Sequence, residues 1–373
     1  MEIKDKVVSF YIKKYLIPRS QIIDQPGFIT FNLMGKTPVF ARQIIMPEVF
    51  FNELEHSASL QGSTGKQRLY AVGKKFGYRF ALMGNFYARG QIPDTKLIEH
   101  LNVVNKFIEG TYASEISARV DLKGPVITYK IKNFVVISNI GFGYFLPLGA
   151  AAGLLSRIFN DSTINGRVIK SARQGSELLY APYDLLKKRG VAEFEENDLS
   201  DLEVEADYRT FNSLQKLTKI NYSFKNMIDA GLLSYNQGII RGGEYRYFIL
   251  EVSALYLLEK ELEKNKKMSE ALYAAAYKAG VGLIRIKENM ILEDAANILT
   301  AFGFGEVSIL SKKNCYEVEI TGYPWTKYYK QTTYPIIRGL VSGFLSELLK
   351  KKIEFRTVET DVSENRLSIL LQQ

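Results

Sequence analysis

Cysteine, histidine and tryptophan are scarce in this chain of 373 residues, which has one Cys, two His and one Trp. The single cysteine, Cys315, excludes an internal disulfide, and two histidines are too few for the usual zinc sites of thiolates and imidazoles. We therefore expect a reducing compartment and no metal site. The N-terminal residues are polar and lack the apolar core of a signal peptide, which favours a cytoplasmic location.

Catalytic signatures are also missing, because no Ser-His-Asp, Cys-His or metal-binding set can be read from the sequence. The segment Gly62-Ser-Thr-Gly-Lys66 has two residues between its glycines and is followed by Gln67, whereas a phosphate-binding loop needs four residues there and a Ser or Thr after the lysine. It is interpreted as the capped start of a helix. The sequence favours a protein that is not an enzyme, without excluding catalysis.

Charge is distributed without a basic tract that would indicate nucleic-acid binding. The net charge is +9, but Lys and Arg are scattered along the chain, and the longest basic run, Lys350 to Lys352, follows Leu348 and Leu349. Cations are expected at the C-terminus of a helix, where they oppose the dipole. Hydrophobic residues make up 46% and charged residues 24%, the balance of a globular protein.

No apolar run is interpreted as a membrane span. Residues 134–156 carry no charge and are long enough to raise the question. Polar residues, Gly141, Gly143 and Pro147 break this run into a strand, a turn and the start of a helix. We expect a buried element of a globular domain and no membrane span.

A glycine-spaced stretch at residues 141–159 is the most distinctive feature. Gly149 and Gly153 lie one helical turn apart, so a helix there has a bare face that another element can approach closely. The same pattern returns near the C-terminus at Gly339 and Gly343. We predict close helix packing at all four glycines.

Other segments repeat in the same order, which indicates an internal duplication. Leu69-Tyr-Ala returns as Leu272-Tyr-Ala, 203 residues later, and Glu115-Ile-Ser as Glu306-Val-Ser, 191 residues later. The offset shrinks because the loops of the second half are shorter. The glycine faces could pack on helices of their own half or on the twin half, as in a pseudo-dimer.

The predicted fold class is α+β, with two tandem copies of an antiparallel sheet that has helices packed on one side. Helices are predicted at 66–82, 147–159, 269–285 and 336–350. Acidic residues cluster in 184–210, which is interpreted as a solvated linker. The predicted domains are therefore residues 1–183 and 211–373, on either side of this linker.

The paired Gly-x-x-x-Gly-[Leu/Phe]-Leu-Ser helices, each preceded by two strands and followed by an extended tail, make the chain resemble a tandem vinyl-reductase (4-vinyl reductase) domain protein. That domain belongs to a superfamily shared with heme-dependent nitric-oxide sensors and TRAPP vesicle-tether subunits. The resemblance covers nearly the whole chain. It implies an α/β domain that encloses a small, mostly apolar ligand and is often paired with a second copy.

Many members of that family end in a strand that carries a glutamate followed by two cysteines, and those cysteines are absent here. Val358-Glu-Thr-Asp361 keeps the glutamate at Glu359, but the family's cysteine positions hold Asp361 and Ile369. The first half has no cysteine at these positions either. His56 and His100 are interpreted as surface or core histidines, so the sequence identifies no cofactor.

Aromatic side chains crowd the segments before both glycine helices, where they could line a pocket or fill the core. Binding sites are mostly apolar, with a few polar groups that orient the ligand. One hypothesis is a cytoplasmic sensor or carrier for an apolar small molecule. The alternative is a ligand-free scaffold that recruits protein partners or forms a homodimer. The candidate ligand-binding residues are Phe142, Tyr144, Phe145, Tyr323, Trp325 and Tyr334.

Overall fold

The computed structural model confirms the α+β class, with helices and antiparallel sheets in alternating blocks. It describes residues 7, 22–25, 27–33, 39–134, 144–172, 175–195, 199, 222–236, 239–312, 315–324, 333–363 and 366–373. In this part of the chain, no helix is both long enough and apolar enough to cross a membrane.

The described helices are α1 (Glu48–Leu60), α2 (Gly62–Met83), α3 (Asp94–Tyr112), α4 (Phe145–Phe159), α5 (Tyr183–Lys188), α6 (Phe224–Asp229), α7 (Val252–Leu262), α8 (Lys266–Leu283), α9 (Leu292–Ala301) and α10 (Pro335–Leu349). A 3₁₀ turn, Ile284–Ile286, follows α8. The strands are β1 (Ile22–Gln25), β2 (Phe28–Leu33), β3 (Val39–Pro47), β4 (Glu115–Asp121), β5 (Val126–Lys132), β6 (Ile164–Ala172), β7 (Gly175–Pro182), β8 (Ser234–Asn236), β9 (Ile239–Gly242), β10 (Tyr245–Glu251), β11 (Glu306–Lys312), β12 (Cys315–Thr321), β13 (Thr357–Ser363) and β14 (Arg366–Gln372).

Two four-stranded antiparallel sheets repeat the same strand order. The first is β4-β5-β7-β6 and the second is β11-β12-β14-β13. Apolar pairs such as Ile127 with Tyr180 and Val318 with Leu371 lie on the buried face of each sheet. The alternation of buried and exposed positions along β4 and β5 is that of a sheet covered on one side. The repeated order is what an internal duplication predicts.

The glycine helices pack on a helix of their own half. α4 lies against α2, and a Cβ atom added at Gly149 or Gly153 would overlap the carbonyl oxygen of Tyr70 or Lys74. α10 lies against α8 in the same manner, with Gly339 and Gly343 facing the carbonyl oxygens of Tyr273 and Tyr277. Backbone therefore packs directly against backbone in both copies. Each glycine helix makes this contact inside its own half.

The chain divides into two compact units whose boundaries differ from the predicted domains. Unit 1 comprises residues 1–21, 32–40 and 55–209, and unit 2 comprises 22–31, 41–54 and 210–373. Two early segments thus belong to unit 2 because β3 hydrogen-bonds to β10, with Ile45 opposite Ile249. Together they build a six-stranded sheet in the order β1-β2-β3-β10-β9-β8.

The predicted acidic linker also departs from the structure. Its first residues belong to α5, and Phe194 is buried with its ring stacked on that of Tyr70 at 4.0 Å between centroids. The described residues 184–195 are assigned to unit 1. Phe194 is an apolar residue among the acidic residues of this segment, and its side chain is buried. Part of the expected linker is therefore packed against unit 1.

Candidate functional site

Both glycine helices begin at a buried tyrosine with unusual backbone geometry. Tyr144 precedes α4 with φ of 122°, and Tyr334 precedes α10 with φ of 50°. Positive φ is sterically costly for a residue with a Cβ atom and is tolerated where the surrounding structure enforces it. The two residues lie 190 positions apart, as do Gly149 and Gly339, so they are equivalent in the duplication.

In unit 1, a carboxylate from another helix enforces this geometry. Glu55 of α1 is 1% exposed, and its carboxylate accepts hydrogen bonds from the backbone N–H groups of Tyr144, Phe145 and Leu146, each at 2.8 Å. These N–H groups have no partner within the helix and carry the positive end of its dipole. Burial raises the pKa of Glu55 to about 6, and the three N–H groups oppose this rise.

Unit 2 repeats the arrangement with Glu259 of α7, which lies 204 residues after Glu55. Its buried carboxylate accepts a hydrogen bond from the backbone N–H of Ile336 at 3.1 Å. The rings of Tyr323 and Tyr334 meet edge to face, 5.7 Å apart. Burial raises the pKa of Tyr323 well above its usual value, and the nearby Glu259 and Tyr334 act in the same direction.

A buried arginine completes this cluster in unit 2. Arg42 of β3 is 1% exposed and donates hydrogen bonds to the carbonyl oxygens of Gly27 at 3.2 Å and Gly303 at 3.0 Å. Burial lowers the pKa of its guanidinium to about 9, and the neighbouring Tyr323 hydroxyl acts in the opposite direction. The guanidinium therefore stays charged at neutral pH and provides a fixed positive group in unit 2.

Four of the predicted pocket residues are described and buried, but they divide between the units. Tyr144 and Phe145 belong to unit 1, whereas Tyr323 and Tyr334 belong to unit 2. The Tyr144 hydroxyl is hydrogen-bonded to the hydroxyls of Ser171 at 2.6 Å and Ser176 at 3.2 Å. Phe142 and Trp325 lie outside the described residues.

A polar group of a different kind lies on the inner face of the first sheet. The Tyr180 side chain is 0% exposed, and its hydroxyl has no hydrogen-bond partner among the residues that the structure describes. The ring of Tyr129 lies 5.6 Å away, and its hydroxyl donates to the Asn105 Oδ1 at 3.0 Å. A Cβ atom at Gly166 would come within 2.6 Å of the Tyr180 ring, so this glycine makes room for it. Burial raises the pKa of Tyr180 well above its usual value.

Within the described ranges, no group of three or more His, Cys, Asp or Glu side chains is placed to hold a metal ion. His100 lies edge-on to the rings of Phe86 and Tyr87, at 5.5 and 5.4 Å, and burial lowers its pKa. Its ring is half-buried and packed against these two aromatic side chains.

The two glutamates and Arg42 were missed by the sequence reasoning. Glu55 follows the apolar positions Phe51 and Leu54 on the buried side of α1, where a charged residue is unexpected. One signal was present, because Glu55 and Glu259 stand at matching positions of the repeat. A charge retained on an otherwise apolar helix face in both copies marks a buried hydrogen-bonding role.

The fold and this geometry define an α+β protein with two similar halves. In each half, a buried glutamate accepts hydrogen bonds from the first backbone N–H groups of the glycine helix. A comparison of the chain with models of known families finds no match, and neither does a comparison with curated proteins.

Proposed function

We propose that the protein is a non-catalytic binding protein, a sensor or carrier, for an apolar small molecule that carries one hydrogen-bonding group. The proposed site lies in unit 1, between the inner face of the first sheet and the entrance of α4. The family resemblance of the sequence supports this proposal, since it implies a domain that encloses an apolar ligand. A cytoplasmic location and the absence of a fixed cofactor are part of the same proposal.

The Tyr180 hydroxyl is the observation that carries the proposal. A buried hydroxyl without a partner costs about 1–3 kcal/mol, so such groups are rare and require an explanation. A hydrogen bond from this hydroxyl to a carbonyl, carboxyl or hydroxyl oxygen of a ligand would remove that cost. The side chains around it supply the apolar remainder of the site: Tyr129, Leu148, Leu178 and the Tyr70 ring.

The helix entrance supplies a rigid wall to this site. Tyr144 is fixed by Glu55 through its backbone and by Ser171 and Ser176 through its hydroxyl. Ser176 and Tyr180 lie four residues apart on β7 and share its buried face. Side chains held in this way lose little further entropy when a ligand binds.

Native mass spectrometry of the purified protein, before and after organic extraction, tests the proposal directly. We expect a mass in excess of the chain that extraction removes. A thermal shift with fatty acids, isoprenoids or tetrapyrroles should then identify the class of ligand. Protein of unchanged mass that gives no thermal shift with any of these compounds would contradict the proposal and leave the scaffold hypothesis as the better account.

Tyr180→Phe separates ligand binding from folding. Because the substitution removes a buried hydroxyl that has no described partner, the free energy of unfolding of the ligand-free protein should stay the same or rise by about 1 kcal/mol. Affinity for the ligand found above should fall about threefold to tenfold, the loss of one hydrogen bond.

Tyr129→Phe is the matched control, since it deletes a neighbouring hydroxyl that does have a partner, Asn105. It should lower the free energy of unfolding by about 1 kcal/mol or more. If Tyr180→Phe destabilises the ligand-free protein as much as Tyr129→Phe does, the Tyr180 hydroxyl has a structural role and the proposed site is wrong.

A further inference from the structure

Residues 190–195, hereafter the strap, cross unit 1 directly after α5. The Phe194 ring lies parallel to the Tyr70 ring, with centroids 4.0 Å apart and an angle of 2° between the planes. Its edge meets Phe145 at 6.2 Å. Both Phe194 and Tyr70 are buried. The Tyr70 and Phe145 rings thus form the walls of a slot that holds the Phe194 side chain.

Side chains bind the backbone of the strap as well as its ring. The Asn165 Nδ2 donates to the carbonyl oxygens of Phe194 and Glu195, each at 3.3 Å. The Gln67 Oε1 accepts a hydrogen bond from the backbone N–H of Glu195 at 3.0 Å. The Arg167 guanidinium donates to the carbonyl oxygen of Val191 at 2.7 Å. These contacts are made to backbone atoms of the strap and to one aromatic ring. Any extended peptide with an aromatic residue has these same groups.

The slot is preorganised by a buried lysine. The Lys74 Nζ, on a side chain that is 0% exposed, donates to the Asn165 Oδ1 at 2.9 Å and to the Ser162 carbonyl oxygen at 2.9 Å. The Tyr70 hydroxyl also donates to the Asn165 Oδ1, at 3.2 Å. With its oxygen bound from inside, the Asn165 amide must present its N–H₂ group to the strap.

In the second copy of the fold, no ring among the described residues stacks in parallel on the equivalent tyrosine. Tyr273 is the counterpart of Tyr70, 203 residues later, and it is only partly buried. The Arg338 guanidinium lies over its ring at 5.7 Å. The strap therefore adds to the burial of Tyr70, whose counterpart in the second copy is less deeply buried.

We propose that the slot formed by Tyr70, Phe145, Asn165 and Gln67 is a peptide-binding site that the strap occupies in cis. Its occupant in trans is an extended segment of a partner protein with one aromatic residue, whose ring replaces that of Phe194. The strap thus acts as a competitive internal ligand. This site shares the Tyr70 ring with the small-molecule site proposed at Tyr180, but the two sites hold different ligands, and the substitutions that test them do not overlap.

A fluorescent peptide of residues 190–199, Gly-Val-Ala-Glu-Phe-Glu-Glu-Asn-Asp-Leu, tests the proposal against the full-length chain. The Phe194→Ala chain should bind this peptide at least tenfold more tightly than the wild-type chain, because a tethered strap competes at a millimolar effective concentration. A peptide with Ala in place of Phe should not bind. Adding Asn165→Ala to the Phe194→Ala chain should weaken peptide binding at least tenfold.

Equal binding of the two peptides to the Phe194→Ala chain, or no binding to a variant that unfolds cooperatively, would overturn the proposal. If Phe194→Ala fails to fold, hydrogen exchange of the wild-type chain decides the matter. Excess peptide should then increase amide exchange in residues 191–195, because it displaces the strap. Unchanged exchange there at saturating peptide would show that the strap is a fixed part of the core.

Discussion

Glu55 and Glu259 do for their helices what an N-cap side chain normally does from the helix's own sequence. The N-cap residues here are Tyr144 and Tyr334, whose side chains make no capping hydrogen bond. Ser, Thr, Asp or Asn is the usual choice at this position. A glutamate from a neighbouring helix satisfies the orphan N–H groups instead, so each glycine helix is fixed at its first turn by long-range contacts.

Glu55 makes the stability of unit 1 depend on pH in a defined direction. Burial on folding raises the pKa of Glu55 from its ordinary value of 4.5 to about 6. The folded state therefore binds the proton more tightly, and the stabilisation is complete below pH 4.5 and lost as the pH rises through about 6. The free energy at stake is about 2 kcal/mol.

Glu55→Gln removes this titration, so the comparison with wild type isolates it. We expect the difference in the free energy of unfolding, wild type minus variant, to fall by about 2 kcal/mol between pH 4 and pH 7.5 in urea titrations. Glu99→Gln, on an exposed position of α3, is the control and should show a constant difference. A constant difference for Glu55→Gln as well would contradict the assigned burial of the carboxylate.

These residues also mark the limit of sequence reasoning at this scale. The sequence predicted a crowd of aromatic rings before each glycine helix, and the structure does bury Tyr144 and Tyr334 there. It could not predict their positive φ, which accompanies a buried glutamate at the start of each helix. Arg42 and Glu55 were unpredictable because charged residues are usually exposed, and burial depends on partners that are distant in the sequence.

Helices and strands were easier to predict because their signals are local. The predicted helices 66–82 and 147–159 correspond to α2 and α4, and those at 269–285 and 336–350 correspond to α8 and α10, with ends that differ by a few residues. Glycine spacing and apolar periodicity are local properties of a segment. The pairing of α2 with α4 was not predictable in detail, since the glycine face could equally have met the twin half.

Single alanine substitutions test the contact between the glycine helices. In Gly153→Ala and Gly343→Ala, the new methyl group would overlap the carbonyl oxygens of Lys74 and Tyr277, which belong to rigid helices. We expect each to lower the free energy of unfolding by about 1–3 kcal/mol or more, seen as a lower Tm. Gly124→Ala is the matched control, because a Cβ atom there has no neighbour within 4 Å and it should leave Tm unchanged.

Equal melting temperatures for all three variants would contradict this prediction. They would mean that the helices can move apart to accommodate a methyl group without lowering the free energy of unfolding. A loss confined to Gly153→Ala would show that the two copies differ in how tightly their helices pack. We expect a lower Tm for both variants, since equivalent pairs of helices, α2 with α4 and α8 with α10, make the contact in the two copies.

At the scale of the whole chain, the two units are not consecutive in the sequence, because two early segments belong to unit 2. A boundary at an acidic linker is a reasonable inference from composition, but it ignores strand pairing between distant segments. β3 and β10 are separated by almost 200 residues and lie side by side at the centre of one six-stranded sheet. Pairing preferences of this kind depend on tertiary context and leave little trace in a single sequence.

Ile249→Pro tests whether these distant strands form one cooperative element. Ile249 lies opposite Ile45, and proline is not accommodated in a central strand, so the substitution should disrupt the pairing of β3 with β10. We expect hydrogen exchange to increase at least about tenfold both in residues 245–251 and in residues 41–47, a change that corresponds to about 1.4 kcal/mol in the opening equilibrium. Leu310→Pro is the control, because β11 is an edge strand and its loss should raise exchange only in β11 and β12. If residues 41–47 keep their protection in Ile249→Pro, then β3 is held by other contacts, and the early segments belong to unit 2 for a different reason than strand pairing.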